Sequence, residues 1–91
     1  MLKIVRNESP SEVVTLHLEG QVIGPWVEEL RRACEPILAS GSGLSLDLGS
    51  VSFLSREGVR LVWTLRDRGV RLLHCPAFVA EQLKSREETP A

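Results

Sequence analysis

The sequence predicts a small α/β domain in which a mixed sheet of four strands carries three helices on one face. Three observations predict it: segments that alternate apolar and polar residues, apolar residues at helical spacing between those segments, and Gly or Pro at the boundaries. The predicted order is ββαβαβα. Because strand–helix–strand crossovers join parallel strands, the strands that follow the first hairpin should be parallel.

The first two strands are predicted to form an antiparallel hairpin over residues 2–6 and 13–20. Asn, Ser and Pro at positions 7–11 favour a turn between them. The second strand alternates between two sides: Val14, Leu16 and Leu18 on one, and Val13, Thr15, His17 and Glu19 on the other. Such alternation is typical of a sheet with one buried face and one face in water.

The first helix is predicted to begin at Gly24-Pro25, since Pro is favoured in the first helical turn. Its apolar stripe consists of Val27, Leu30, Cys34, Ile37 and Leu38. Pro36 lies within this stripe and predicts a kink or an early end of the helix. The Gly-Ser-Gly at 41–43 then breaks the chain.

The second half predicts a strand over 44–53, a helix over about 56–68 that Gly69 closes, a strand over 70–75 and a last helix that ends near Lys84. In the first of these strands Leu44, Leu46 and Leu48 should face inward, and Ser45 and Asp47 outward. The domain is therefore expected to span residues 1–84, followed by a disordered tail over 85–91.

Composition points to one ordinary domain, since 91 residues with 43% apolar and 25% charged side chains suit a single small core. The net charge of −1 gives no overall attraction for nucleic acid or an anionic membrane. No apolar run approaches the roughly 20 residues needed to cross a bilayer. Two cysteines without CxxC spacing, Cys34 and Cys75, make a reducing cytoplasm the simplest compartment.

The sequence offers no pattern of a catalytic, cofactor or metal site. Paired carboxylates, a nucleophile triad and a phosphate-binding loop are all missing, so an enzyme is the least favoured class. His74 and Cys75 are adjacent on a predicted strand and should point to opposite faces, and no second pair of ligands completes a metal site. His17 is expected to be a surface residue and Cys34 a core residue.

Residues 44–83 resemble a STAS domain, the fold of bacterial anti-sigma-factor antagonists. The segment LDLGSVSFLSREGV is similar to the family's strand–loop–helix segment, in which hydrophobic-Asp-hydrophobic, a Val and a Phe precede Asp-Ser-Ser-Gly. Downstream, WTLRDRGVRLLHCPAFVAEQL is similar to the family's helix, Gly turn, strand and closing helix. Upstream, LHLEGQVIGPWVEELRRACEPIL is similar to its second strand and first helix, so the resemblance covers nearly the whole chain.

The resemblance implies a partner-binding loop at the start of the second helix. In the family an anti-sigma kinase phosphorylates the Ser before the Gly; the unphosphorylated domain binds that partner, and phosphorylation breaks the complex. Matched residue by residue, the family's Asp falls on Ser55, its first Ser on Arg56 and its phosphorylated Ser on Glu57, while the glycine is kept as Gly58. The hydroxyl group that is phosphorylated in the family is therefore replaced by the carboxylate of Glu57.

Glu57, in the first turn of the predicted second helix, has two interpretations. Ser55 is placed as an N-cap, which stabilises a helix by about 1 kcal/mol, and an acid in the first turn adds roughly 0.3–1 kcal/mol. Glu57 is then either a favourable first-turn residue in a domain that no longer switches, or a fixed negative charge resembling the phosphorylated state. Trp26, at the same edge of the domain, is expected either to pack in part against the core or to contact a partner.

Two functions follow as hypotheses. The first is a non-catalytic protein-interaction module that docks an anti-sigma factor or kinase-like ATPase around Ser55–Gly58 and Val22–Trp26. The alternative is a soluble accessory subunit of an ABC-type membrane transport system, whose partner would be a transport ATPase. The sequence does not identify the partner or the oligomeric state, which includes the possibility of a dimer. It also leaves open whether Ser55 is phosphorylated in place of Glu57 and whether another chain supplies an additional edge strand.

Overall fold

The computed structural model describes residues 1–8 and 13–88 and confirms the predicted fold class. Its elements, in chain order, are β1 (Leu2–Glu8), β2 (Val13–Val22), α1 (Pro25–Ala39), β3 (Gly43–Leu54), α2 (Arg56–Asp67), β4 (Arg71–Leu73) and α3 (Ala77–Glu88).

The four strands lie in the sheet in the order β1-β2-β3-β4. β1 pairs antiparallel with β2, whereas the β2–β3 and β3–β4 pairs are parallel, as the crossover argument predicts. The register between β2 and β3 shifts twice, between His17 and Glu19 and again between Gly20 and Gln21, so β3 carries two extra residues. These irregularities bring Leu54 opposite Val22, where both strands end.

The core lies between one face of the sheet and the helices. Leu16, Leu18, Leu46 and Leu48 are almost fully buried, as are Leu30 of α1 and Val62 of α2. On the other face Thr15, His17 and Asp47 keep part of their surface in water. The alternation in the sequence therefore predicted correctly which side chains of the two central strands point into the core, with one exception on the open face.

Ser45 departs from that prediction, because only 4% of its surface is exposed. It lies on the open face, as expected, but β3 is an interior strand of the sheet. Its cross-strand neighbours are Thr15 on β2 and Arg71 on β4, and side chains on both sides cover a small Ser.

Several boundaries also differ from the predictions. β1 continues to Glu8, so Asn7 belongs to the strand rather than to the predicted turn; residues 9–12 lie outside the described residues. α1 runs through Pro36 to Ala39, so the early helix end is wrong. β4 ends at Leu73 rather than at residue 75. α3 extends to Glu88, beyond the expected end near Lys84; the proposed tail over 85–91 lies partly outside the described residues and stays a prediction.

Candidate functional site

The residues singled out by sequence lie at one edge of the sheet, where β2 and β3 end and α1 and α2 begin. We call this region the docking corner and define it as residues Val22–Trp26 and Ser55–Gly58. Because β2 and β3 are parallel neighbours, their carboxyl ends meet at this edge. Loops at the carboxyl ends of parallel strands are where open α/β sheets place their binding sites.

Ser55 ties the two halves of the docking corner together. Its backbone N–H donates to the carbonyl oxygen of Val22 at 3.0 Å, and its hydroxyl donates to the same oxygen at 3.2 Å. The hydroxyl oxygen also accepts from the backbone N–H of Gly58 at 3.1 Å, which confirms Ser55 as the N-cap of α2. The start of α2 is thus fixed to the end of β2.

Gly58 is required by close packing at this junction. It is buried in the first turn of α2, and a Cβ at this position would lie 2.7 Å from the carbonyl oxygen of Val22 and 3.3 Å from a methyl carbon of that residue. A real Cβ does not approach an oxygen so closely without displacing it. Glycine therefore allows α2 to begin against the end of β2.

Arg56 and Glu57 are the exposed residues of the same helical turn. Among the described residues the Glu57 carboxylate has no ion-pair partner, Arg56 included. It lies next to the positive end of the α2 dipole, which favours a negative charge there. Glu57 therefore presents a carboxylate to solvent at the position that the resemblance assigns to a phosphoserine.

Trp26 lies in the first turn of α1, half-buried against the core. The turn before the helix is held by its N–H, which donates to the carbonyl oxygen of Ile23 at 3.0 Å, and Gly24 supplies a positive φ of 51°. The indole thus packs in part, as one of the two interpretations expected. Its role as a partner contact stays a prediction.

A groove between α1 and α2 opens at the docking corner and was not foreseen from the sequence. It has a volume of about 480 Å³ and an apolar floor to which Val27, Leu61 and Leu65 contribute. At its far end Arg68 of α2 is 2.7 Å from Glu35 of α1, an ion pair that joins the two helices. Helical spacing in the sequence indicates which charged residues are exposed on each helix. It does not show which side of α1 lies next to α2, so the groove could not be predicted.

A second unforeseen cluster lies on the open face of the sheet. The two carboxylate oxygens of Asp47 lie 3.0 Å from Nδ1 of His17 and 3.2 Å from Nδ1 of His74. The backbone N–H of Gly49 also donates to Asp47 at 2.9 Å, and this bond, followed by the contact with His74, lowers the pKa of the carboxyl group. The cluster joins β2, β3 and the segment after β4.

Sequence periodicity placed His17 and Asp47 on the open faces of two different strands and predicted that His74 belongs to a third strand. In the structure His74 follows β4 with a φ of 52°, a conformation that few non-Gly residues adopt. That conformation, together with the pairing of His17 opposite Asp47, brings the side chains into contact. The sequence carries no local signal for either feature.

Among the side chains that the structure describes, those of residues 1–8 and 13–84, no set of three from His, Cys, Asp or Glu is placed to hold a metal ion. Cys34 is fully buried, and burial raises its pKa to about 12; burial also raises the pKa of Cys75. No described helix is long and apolar enough to span a membrane.

Comparison with solved structures gives the fold its family name. SpoIIAA, an anti-sigma factor antagonist solved in its unphosphorylated form, superposes on 97% of this chain with a TM-score of 0.74 and 19% identity, and 84% of that protein is covered. The chain has the STAS-domain fold. A STAS domain from a Rhodobacter sphaeroides anti-sigma-factor antagonist matches 80% of the chain and 86% of that protein, with a TM-score of 0.48 and 15% identity.

No family model and no curated protein matches the sequence. The STAS fold therefore rests on the three-dimensional likeness, to which the motif around Gly58 adds a local resemblance in sequence.

Proposed function

We propose that this protein is a non-catalytic interaction module of the anti-sigma-factor-antagonist kind, and that its protein partner docks at the docking corner. The observation that carries the proposal is the junction at Val22, Ser55 and Gly58. Three hydrogen bonds and one close backbone contact fix the corner, while Arg56 and Glu57 project from it into solvent. A preorganised surface with exposed charges loses little entropy on binding and can select its partner electrostatically.

Glu57 sets the sign of the charge that the corner presents. It occupies the position that is phosphorylated in the family, and a carboxylate cannot be phosphorylated and dephosphorylated as a serine is. A partner suited to an uncharged serine would meet a repulsive anion here, so a partner adapted to this chain should offer an Arg or Lys. We therefore propose a constitutive interaction, without phosphorylation at this residue.

Titration calorimetry tests the role of Glu57. The protein serves first as bait to isolate and identify its partner, and the purified partner is then titrated with wild type and with Glu57→Ser. The loss of a rim charge costs about 0.2–1 kcal/mol and the loss of one member of a buried pair about 2–5 kcal/mol, so we expect binding to weaken by about 1.4- to 5-fold in the first case and by about 30-fold or more in the second. Glu29→Ser is the matched control, since Glu29 is an exposed acid of α1 that is not among the residues that define the docking corner.

The outcomes separate the possible functions. An anti-sigma kinase as partner, with weaker binding by Glu57→Ser alone, supports the proposal. Affinity that is unchanged in a folded Glu57→Ser variant would show that the partner binds elsewhere and that Glu57 is only a favourable first-turn residue. A transport ATPase as partner would instead assign the protein to the accessory-subunit class.

A further inference from the structure

The groove between α1 and α2 carries charges that the described chain does not neutralise. Glu57 and Arg60 both line it, and neither forms an ion pair with the side chains that the structure describes, those of residues 1–8 and 13–84. Glu28 and Arg31 line it as well; they are 3.6 Å apart, with side chains that are 50% and 54% exposed. An exposed ion pair of this kind contributes little to stability, so all four side chains can still form ion pairs with charges from another molecule.

The four charges are ordered in the same way on both helices. On α1 the acid Glu28 precedes the base Arg31 by three residues, and on α2 Glu57 precedes Arg60 by three, which is a rise of about 4.5 Å along each helix. The helices run in the same direction, since each follows a parallel strand and Arg68 meets Glu35 in the last turns. The groove therefore has an acidic level near the docking corner and a basic level one turn further on.

We propose that this groove binds the same groove of a second copy of the chain. A two-fold axis that crosses both helices between the two levels places α1 against α1 and α2 against α2 in antiparallel orientation. Each Glu28 then faces the Arg31 of the other copy, and each Glu57 faces the other copy's Arg60. The other face-to-face arrangement, with the axis along the helices, brings Glu28 opposite Glu57 and is repulsive. The charge order thus favours one symmetric interface.

The position of the axis limits the size of this interface. It lies close to the start of both helices, only about 7 Å along α1 from Pro25, so each copy contributes roughly 15 Å of helix. Interfaces of this scale fall below the size of stable dimers and are transient. The interface includes Glu57 and covers the docking corner, so self-association and partner binding exclude each other.

Sedimentation velocity on the purified protein tests the proposal without any partner. In low salt, about 50 mM NaCl, we expect the mass to rise from that of the monomer, 10.1 kDa, towards twice that value between about 10 and 500 μM protein. Raising NaCl to about 500 mM should weaken association at least fivefold, because exposed ion pairs are screened. A monomer at every concentration in low salt would overturn the proposal.

Charge reversal tests the predicted pairing. Glu57→Arg and Arg60→Glu should each reduce self-association about tenfold or more, since the symmetry creates two repulsive contacts in each variant. A mixture of the two single variants should associate again, because the reversed charges then match across the axis. The double variant should also dimerise as wild type does within about threefold.

Glu29→Arg and Arg32→Glu are the matched controls, because both residues are exposed on α1 and neither lines the groove. Dimerisation that is lost equally in the controls, or that does not return in the mixture, would contradict this interface. These results do not depend on whether the docking corner also binds another protein, so failure here and failure of the proposed function are distinguishable. Thermal melting of each variant verifies that the fold is intact.

Discussion

Replacement of Gly58 by Ala should destabilise the protein, although Ala is the better helix former. In the first turn of α2 the added methyl group would lie 2.7 Å from the carbonyl oxygen of Val22, 3.3 Å from a Val22 methyl carbon and 3.5 Å from one of Leu54. The oxygen cannot move away freely, since it accepts hydrogen bonds from both the N–H and the hydroxyl of Ser55. The strain must therefore be taken up by the junction between β2 and α2.

The expected magnitude follows from two opposing effects. Overpacking of a filled site costs about 1–3 kcal/mol, whereas Gly→Ala in a helix gains up to about 1 kcal/mol. The gain is smaller in a first turn, so the net loss should be about 1–2 kcal/mol. For a domain of this size, that corresponds to a decrease in melting temperature of roughly 4–16 °C.

Urea denaturation followed by circular dichroism measures this difference directly. Arg56→Ala is the matched control, since Arg56 lies in the same turn and is exposed, and its loss should change the free energy of unfolding by less than about 0.5 kcal/mol. A Gly58→Ala variant as stable as wild type, or more stable, would refute the close approach of α2 to Val22.

Three further predictions concern titration, thiol reactivity and phosphorylation. The pKa of Asp47 is lowered from 3.8 in the folded state, so the ionised carboxylate stabilises the fold at pH values above 3.8. This contribution should disappear as the pH falls through the lowered pKa. When stability is measured against pH in acid, Asp47→Asn should remove this part of the pH dependence. In the native protein a thiol reagent should modify the partly exposed Cys75 first, whereas Cys34 should react only at the rate of unfolding; equal rates would contradict the burial of Cys34. Mass spectrometry after incubation with an anti-sigma kinase and ATP should find no phosphate at Glu57, while stoichiometric phosphate on Ser55 would show that the switch has moved by two residues.

The elements of the fold could be predicted because their signals are local. Alternation identified the buried face of β2 and β3, and the stripe around Leu30 and Cys34 identified the buried face of α1. Ser55 could be recognised as an N-cap because capping depends on a few neighbouring residues. The boundaries differ from the predictions where tertiary contacts compete with local preference: pairing with β3 extends β2 to Val22, and α1 continues through Pro36.

By itself, the sequence determined the order of strands and helices, which of their faces are buried, and that a charged pair precedes a glycine at the start of the second helix. Only the tertiary structure decided what those residues meet. Gly58 lies against Val22, Asp47 lies between His17 and His74, and Glu57 lines a groove with residues of α1. Each of these contacts joins residues 22 or more positions apart in the sequence, and the contact between β2 and β3 also depends on a strand register that two irregularities in β3 shift further along. Periodicity along a chain specifies the direction of a side chain, whereas long-range pairing specifies its neighbours.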